Sequence, residues 1–148
     1  MSTHSATIQW HRSTDDFAYD TYNREHTWRF PNGHTVDASA ASDYLGSDAC
    51  VDPEEAFVAS LSSCHMLTFL AIAARKRYVV ERYSDEAAGH LEKNAGGKLA
   101  VTRVELRPQI EFSGERQPDA AGIAAMHEKA HEHCFIANSV TTEVIVHP

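Results

Sequence analysis

At 148 residues, with 43% hydrophobic and 23% charged side chains, the chain can bury one hydrophobic core and has an ordinary globular composition. Its formal charge of −8 argues against a nucleic-acid partner, which needs clustered cations to neutralise phosphates. No basic stretch followed by an apolar run opens the chain, and only three cysteines are present, so the expected setting is cytoplasmic, where a disulfide is transient and catalytic.

Alternation first marks Ala6 to His11 as a strand. After a polar stretch around Asp15 and Asp16, Arg24 to Phe30, the turn Pro31-Asn32-Gly33 and His34 to Ala40 form a hairpin. Arg24, His26, Trp28 and Phe30 share one face of its first strand; Glu25, Thr27 and Arg29 share the other. The aromatic face is the one to bury, so Arg24 and His26 extend a core-facing row toward its polar end. Ser42 to Val51 reads as a loop holding Gly46 and Cys50.

Asp52-Pro53-Glu54-Glu55 is a helix start: an N-cap, proline at the first helical position, and two carboxylates in the first turn. The helix should reach about Lys76, where Arg75-Lys76-Arg77 complements the C-terminal dipole. Apolar residues nearly encircle it, so cover on most sides is expected. Its Ser, Cys, His and Thr interruptions argue for a buried helix rather than a membrane span. Two long strands follow, Tyr78 to Glu92 and Leu99 to Phe112, around Asn94-Ala95-Gly96-Gly97, with Asp85 to Ala88 a candidate bulge. Gln117-Pro118-Asp119 opens a second helix reaching Cys134, and Ser139 to His147 alternates as a last strand. The fold class expected is α+β: two groups of antiparallel strands around a buried central cysteine helix.

Cys64 and Cys134 lie in opposite halves of the chain, each near histidine, and neither belongs to a CxxC pair. Such thiols suggest a nucleophile and a resolving partner that meet only on folding. Taken alone, Cys64 reads as an inert core thiol. Around it, however, Ser60, Ser62, Ser63, His65 and Thr68 form a polar patch in a helix meant for burial, and those groups must find partners. Cys134 shares a helical face with Ile123, His127 and Ala130 and so points inward. His127-Glu128-Lys129-Ala130-His131 matches the HExxH zinc pattern, but the metzincin continuation is missing and the possible third ligand, Glu143, falls on a strand. A metal held by His131, His133 and Cys134 is a further alternative.

The run from Asp52-Pro53-Glu54-Glu55 to Ser62-Ser63-Cys64-His65-Met66-Leu67 resembles the signature of the OsmC/Ohr family, the osmotically inducible and organic hydroperoxide resistance proteins. The resemblance spans residues 1–148 as a single domain. The branch resembled carries Tyr-Asn-Arg-Glu-His-Thr-Trp and Ser-Ser-Cys-His-Met-Leu, seen here at Tyr22 to Trp28 and Ser62 to Leu67. It implies a thiol peroxidase without metal, haem or other cofactor, working as an intertwined homodimer with sites at the subunit interface.

By that resemblance Cys64 is the peroxidatic thiol, Cys134 the resolving thiol and Glu54 the active-site glutamate, while an N-terminal strand supplies an arginine. Register against the turn favours Arg29; the face shared with Trp28 and Phe30, and the branch pattern, favour Arg24. His26 and His65 are secondary candidates. Many relatives carry proline directly after the second cysteine, where this chain has Phe135.

The chemistry agrees: a thiolate that cleaves a peroxide benefits from a nearby cation, and a sulfenic acid is captured by a second thiol at a Cα separation of ~5.5 Å. Glu54 and Cys64 lie ten positions apart, about 15 Å along a straight helix. Glu54 is therefore expected to serve the Cys64 of a partner subunit. The reading is an organic hydroperoxide reductase in oxidative-stress defence, reduced by a dithiol such as a lipoylated protein, with no nucleic-acid or membrane partner. The alternatives are a non-catalytic ligand-binding or redox-sensing relative, and a zinc site at the late histidines.

Overall fold

The computed structural model describes all 148 residues, which divide by their contacts into two compact units, 1–56 and 57–148. In the first unit β1 (Thr7–Gln9), β2 (His26–Arg29) and β3 (Thr35–Ala38) form an antiparallel sheet in that order. The hairpin turns where predicted: Phe30 N–H donates to the His34 carbonyl at 2.9 Å, and Gly33 takes the left-handed conformation at φ 88°. Along the β2 region Arg24 is buried and Trp28 and Phe30 are partly buried, whereas Glu25 and Arg29 are exposed, so the predicted faces hold. Beyond β3, Ala38 pairs in parallel with Val51, closing a loop that contains a short 3₁₀ turn at Ser42–Tyr44. Gly46 is required there by close approach, because a Cβ at this position would lie 1.6 Å from the Ala40 carbonyl oxygen.

Helix α1 (Pro53–Arg75) begins as the sequence predicts, with the Asp52 carboxylate accepting Glu55 N–H at 2.8 Å. It ends through a left-handed Arg77 at φ 63°, with Tyr78 N–H donating to the Ala73 carbonyl. The expected cover on most sides is not met within one chain. Leu61, His65, Phe69 and Ala73 form a single buried stripe, while Ala59, Ser63, Leu67 and Ala71 face outward on the opposite side. One chain packs its strands and second helix against one side only, which leaves Leu67 60% exposed.

The second unit continues with β4 (Val79–Asp85), β5 (Ala88–Lys93), β6 (Leu99–Leu106), β7 (Pro108–Ser113), α2 (Ala120–His133) and β8 (Glu143–Val146). The two long strands predicted around Asn94 are each broken, and β4 pairs with β7 in one sheet while β5 pairs with β6 in another. The break has a side-chain cause: the Asp85 carboxylate accepts Arg107 N–H at 2.6 Å where a ladder carbonyl would stand, and Pro108 carries no N–H to offer. The last strand also departs from expectation. It pairs parallel to β6, so the β5–β6–β8 sheet is mixed; β7 and α2 supply the long crossover a parallel pair needs.

Two hydrophobic clusters bind α1 to these sheets. Phe69, Ala73, Met126 and Ala130 join α1, α2 and the β4–β7 residues Val80, Tyr83, Ile110 and Phe112. Leu61, Val104 and Leu106 join α1 to β6, with Val58, Val144 and Val146 around them. The second contact is close: a Cβ at Gly89 would lie 2.5 Å from the Val58 Cγ2 atom.

Candidate functional site

Folding brings the two distant thiols together. Cys64 is half-buried on α1, and Cys134 caps α2 at 1% exposure; both are free. The Cys134 sulfur accepts Ala137 N–H at 3.5 Å and lies near enough to Cys64 for the two thiols to influence one another. Burial pushes the Cys134 thiol above its ordinary range and the neighbouring Cys64 adds to this, while the Ala137 and Ile136 amides oppose it. Of the pair, Cys134 is therefore the sheltered sulfur, whose thiol form burial favours, and Cys64 is the more accessible one.

The polar patch around Cys64 finds partners in two ways. Ser60 and Thr68 return to their own helix, donating to the Phe57 carbonyl at 2.7 Å and the Cys64 carbonyl at 2.9 Å. Ser62 instead donates to the Asp85 carboxylate at 2.5 Å, and His65 Nε2 meets His127 Nδ1 at 3.0 Å. Ser63 is exposed.

The histidine contact joins α1 to α2 in the interior. The two imidazoles lie in nearly parallel planes, 8° apart, and Phe69 stacks on His127 at 4.4 Å. Burial, then His127 and His131, lower His65 from 6.5 to about 4, with Asp85 opposing. Burial lowers His127 as well, again against Asp85. The outer nitrogens, His65 Nδ1 and His127 Nε2, are buried without hydrogen-bond partners, as is the Tyr83 hydroxyl. That hydroxyl is pushed above its usual range by burial and by Asp85. The HExxH pattern is thus divided: His127 faces inward toward α1, whereas His131 and His133 are exposed. No group of three His, Cys, Asp or Glu side chains lies close enough to hold a metal ion.

In the first unit, Arg24 precedes β2 and is 9% exposed. Its guanidinium donates to the Tyr22 carbonyl at 2.6 Å and to the Tyr19 carbonyl, and lies 3.7 Å from the centroid of the Tyr22 ring. It borders a cavity of about 350 Å³ walled by Trp10, Phe17, Tyr22 and His26. Arg29 stands exposed on β2 opposite Thr7 and Thr35. His26 donates from Nδ1 to the Arg24 carbonyl at 2.8 Å and accepts Trp28 Nε1–H at Nε2, at 2.9 Å. Both ring nitrogens are satisfied in one neutral tautomer, which leaves no free nitrogen for acid–base work. Glu54 is half-buried in the first turn of α1, and α1 runs unbroken past Cys64, so no kink folds Glu54 back along the helix. Cys50 lies in the loop before Val51, its N–H donating to the Ser47 carbonyl at 3.2 Å.

Asp85, Tyr83 and the pairing of His65 with His127 escape the sequence reading. The polarity of the helix signals that partners exist; only the fold says which groups they are.

Residues 46–147 match the family model described as OsmC-like protein. A solved OsmC-like protein of unknown function from Vibrio cholerae O1 biovar eltor is 53% identical, with 99% of each chain covered and a TM-score of 0.93. An organic hydroperoxide resistance protein from Legionella pneumophila is 17% identical over 99% of this chain and 96% of that one, with a TM-score of 0.75. The organic hydroperoxide resistance protein OhrB of Bacillus subtilis is 14% identical over 98% and 96%, with a TM-score of 0.67; these two likenesses establish the fold alone. No curated protein sequence matches the chain.

Proposed function

We propose, from the premise that this chain belongs to the OsmC-like family, that it is a cysteine-based peroxidase reducing organic hydroperoxides in cytoplasmic oxidative-stress defence. The observation that carries the reading is the nearness of two free thiols seventy residues apart in sequence, one half-buried and one sheltered.

In this reading the Cys64 thiolate attacks the hydroperoxide oxygen, the O–O bond breaks, and the departing alkoxide takes a proton to leave as an alcohol. Cys64 is then a sulfenic acid. The Cys134 sulfur attacks it, an S–S bond forms, and the sulfenic hydroxyl departs as water with the Cys134 proton. A dithiol, with a lipoylated protein as the natural class, returns two electrons and two protons. A Cys134 thiol raised by burial suits the second role, since it stays protonated and does not compete for peroxide.

Arg24 is the guanidinium assigned to thiolate activation, with Arg29 in reserve. Its burial against Tyr19 and Tyr22 supports Arg24, since a cation held away from bulk water acts more strongly on its neighbours. Glu54 would act from a second subunit. The unbroken α1 supports this, as does the outward stripe of Ala59, Leu67 and Ala71, which a second copy of the chain would cover in a homodimer.

The test is consumption of cumene hydroperoxide by the purified protein with dihydrolipoamide as reductant. Cys64→Ser should abolish turnover, and Cys134→Ser should form a Cys64 sulfenic acid with one equivalent of hydroperoxide and, with no resolving thiol, a sulfinate with a second. Unchanged turnover in Cys64→Ser would remove the proposal. Wild type that forms the disulfide once and never turns over would favour a redox sensor.

A further inference from the structure

Two buried histidines hydrogen-bonded to one another make a poor stability device. His65 and His127 are 1% and 3% exposed, and each leaves its second ring nitrogen without a partner. An unsatisfied buried polar atom costs stability that an aliphatic side chain of similar size would not. What leucine lacks is direction. An N–H···N bond fixes both the rotation and the translation of the elements it joins, whereas apolar side chains slide over one another at small cost.

Direction matters at this place. The imidazole pair is the only hydrogen bond between side-chain nitrogen or oxygen atoms that joins α1 to α2. His65 adjoins Cys64, and His127 lies seven residues before Cys134, two turns away on the same face of α2. The rest of the contact is made by Phe69 and Ala73 against Met126 and Ala130, a surface of small or pliable groups. A disulfide, by contrast, tolerates little error in sulfur placement.

We infer that His65 and His127 are a positioning pair, an internal peg that holds α1 in register with α2 so that the Cys64 and Cys134 sulfurs stand opposed for disulfide formation. The inference rests on reading those two cysteines as a dithiol pair. The bond requires one bare and one protonated nitrogen at the contact, so the neutral pair makes it as it stands. The titratable groups near enough to act on it are His131, one turn on along α2 with its own ring turned outward, and Asp85 from β4; Asp85 is already held by Ser62 and by the Arg107 amide, which leaves the imidazoles to each other.

The experiment is thiol–disulfide exchange with dithiothreitol near pH 7. It reports the equilibrium between the protein dithiol and its disulfide and involves no peroxide. His127→Leu keeps the volume and removes the bond; His127→Gln keeps a hydrogen-bonding amide. The exchange constant should fall at least about tenfold in His127→Leu and stay within about threefold of wild type in His127→Gln. Loss of fold stability alone would not move a constant measured between two folded forms. Should the leucine variant fail to fold, His65→Asn breaks the contact from the other helix. A constant equal to wild type in whichever break variant folds overturns the inference. If the constant responds but wild type consumes no hydroperoxide, the peroxidase reading falls and the positioning pair stands.

Discussion

Acid should unfold this protein through His65 before it does so through its carboxylates. Above pH 6.5 the folded and unfolded chains both carry neutral His65, and stability does not depend on it. As pH falls below 6.5 the unfolded chain binds a proton that the folded interior refuses, so stability drops steadily until about pH 4, where folded His65 titrates as well. The lowering from 6.5 to about 4 corresponds to about 3 kcal/mol. His127 is lowered by the same burial and acts in the same direction.

The most perturbed carboxylate works in a lower window. Glu105, held by His90 at 2.7 Å and His147 at 3.2 Å, is lowered from 4.5 to about 2, so its contribution is present above 4.5 and lost only as pH falls toward 2. Urea unfolding followed by circular dichroism at pH 7, 6, 5 and 4 gives the stability at each pH. Wild type should lose about 3 kcal/mol more over this range than His65→Gln, whose amide does not titrate. Parallel curves for the two proteins would refute the reasoning.

Gly46→Ala should be among the most damaging single-methyl changes in the chain, because the new carbon would sit 1.6 Å from a backbone oxygen rather than a mobile side chain; a loss of about 3 kcal/mol is expected as a fall in urea midpoint. Phe69→Ala should cost about 3–5 kcal/mol in the same assay, since the ring is fully buried and holds both His127 and Tyr83. Asp119→Ala should cost about 1 kcal/mol through loss of the cap that accepts Gly122 N–H at 2.7 Å. If the proposed homodimer forms through the outward stripe of α1, Leu67→Glu should leave the chain folded and lower its mass in light scattering from that of a dimer to that of a monomer; a mass equal to that of wild type would remove this stripe as the proposed contact.

The site draws on two kinds of information. Local chemistry made Cys64 and Cys134 candidates, and the polarity of Ser62 and His65 required partners. Neither observation could choose those partners. Asp85 looked like a flaw in a strand, yet it accepts both the Ser62 hydroxyl and the Arg107 amide and so parts the two sheets. His127 fits a zinc pattern by spacing alone, but its ring faces α1 while His131 faces outward.

What residue order determines by itself here is everything settled within a few residues. The Asp52 and Asp119 caps, the Pro31-Asn32-Gly33 turn, the alternation through Trp28 and Phe30, and the limits of α1 to within a residue all depend on local backbone geometry. Tertiary structure alone decided the rest: β8 running parallel to β6, the single buried stripe of α1, the meeting of Cys64 with Cys134, and the joining of His65 to His127. Those outcomes depend on which distant surfaces fill space against each other. Many residues contribute to that choice at once, and no short stretch of sequence contains it.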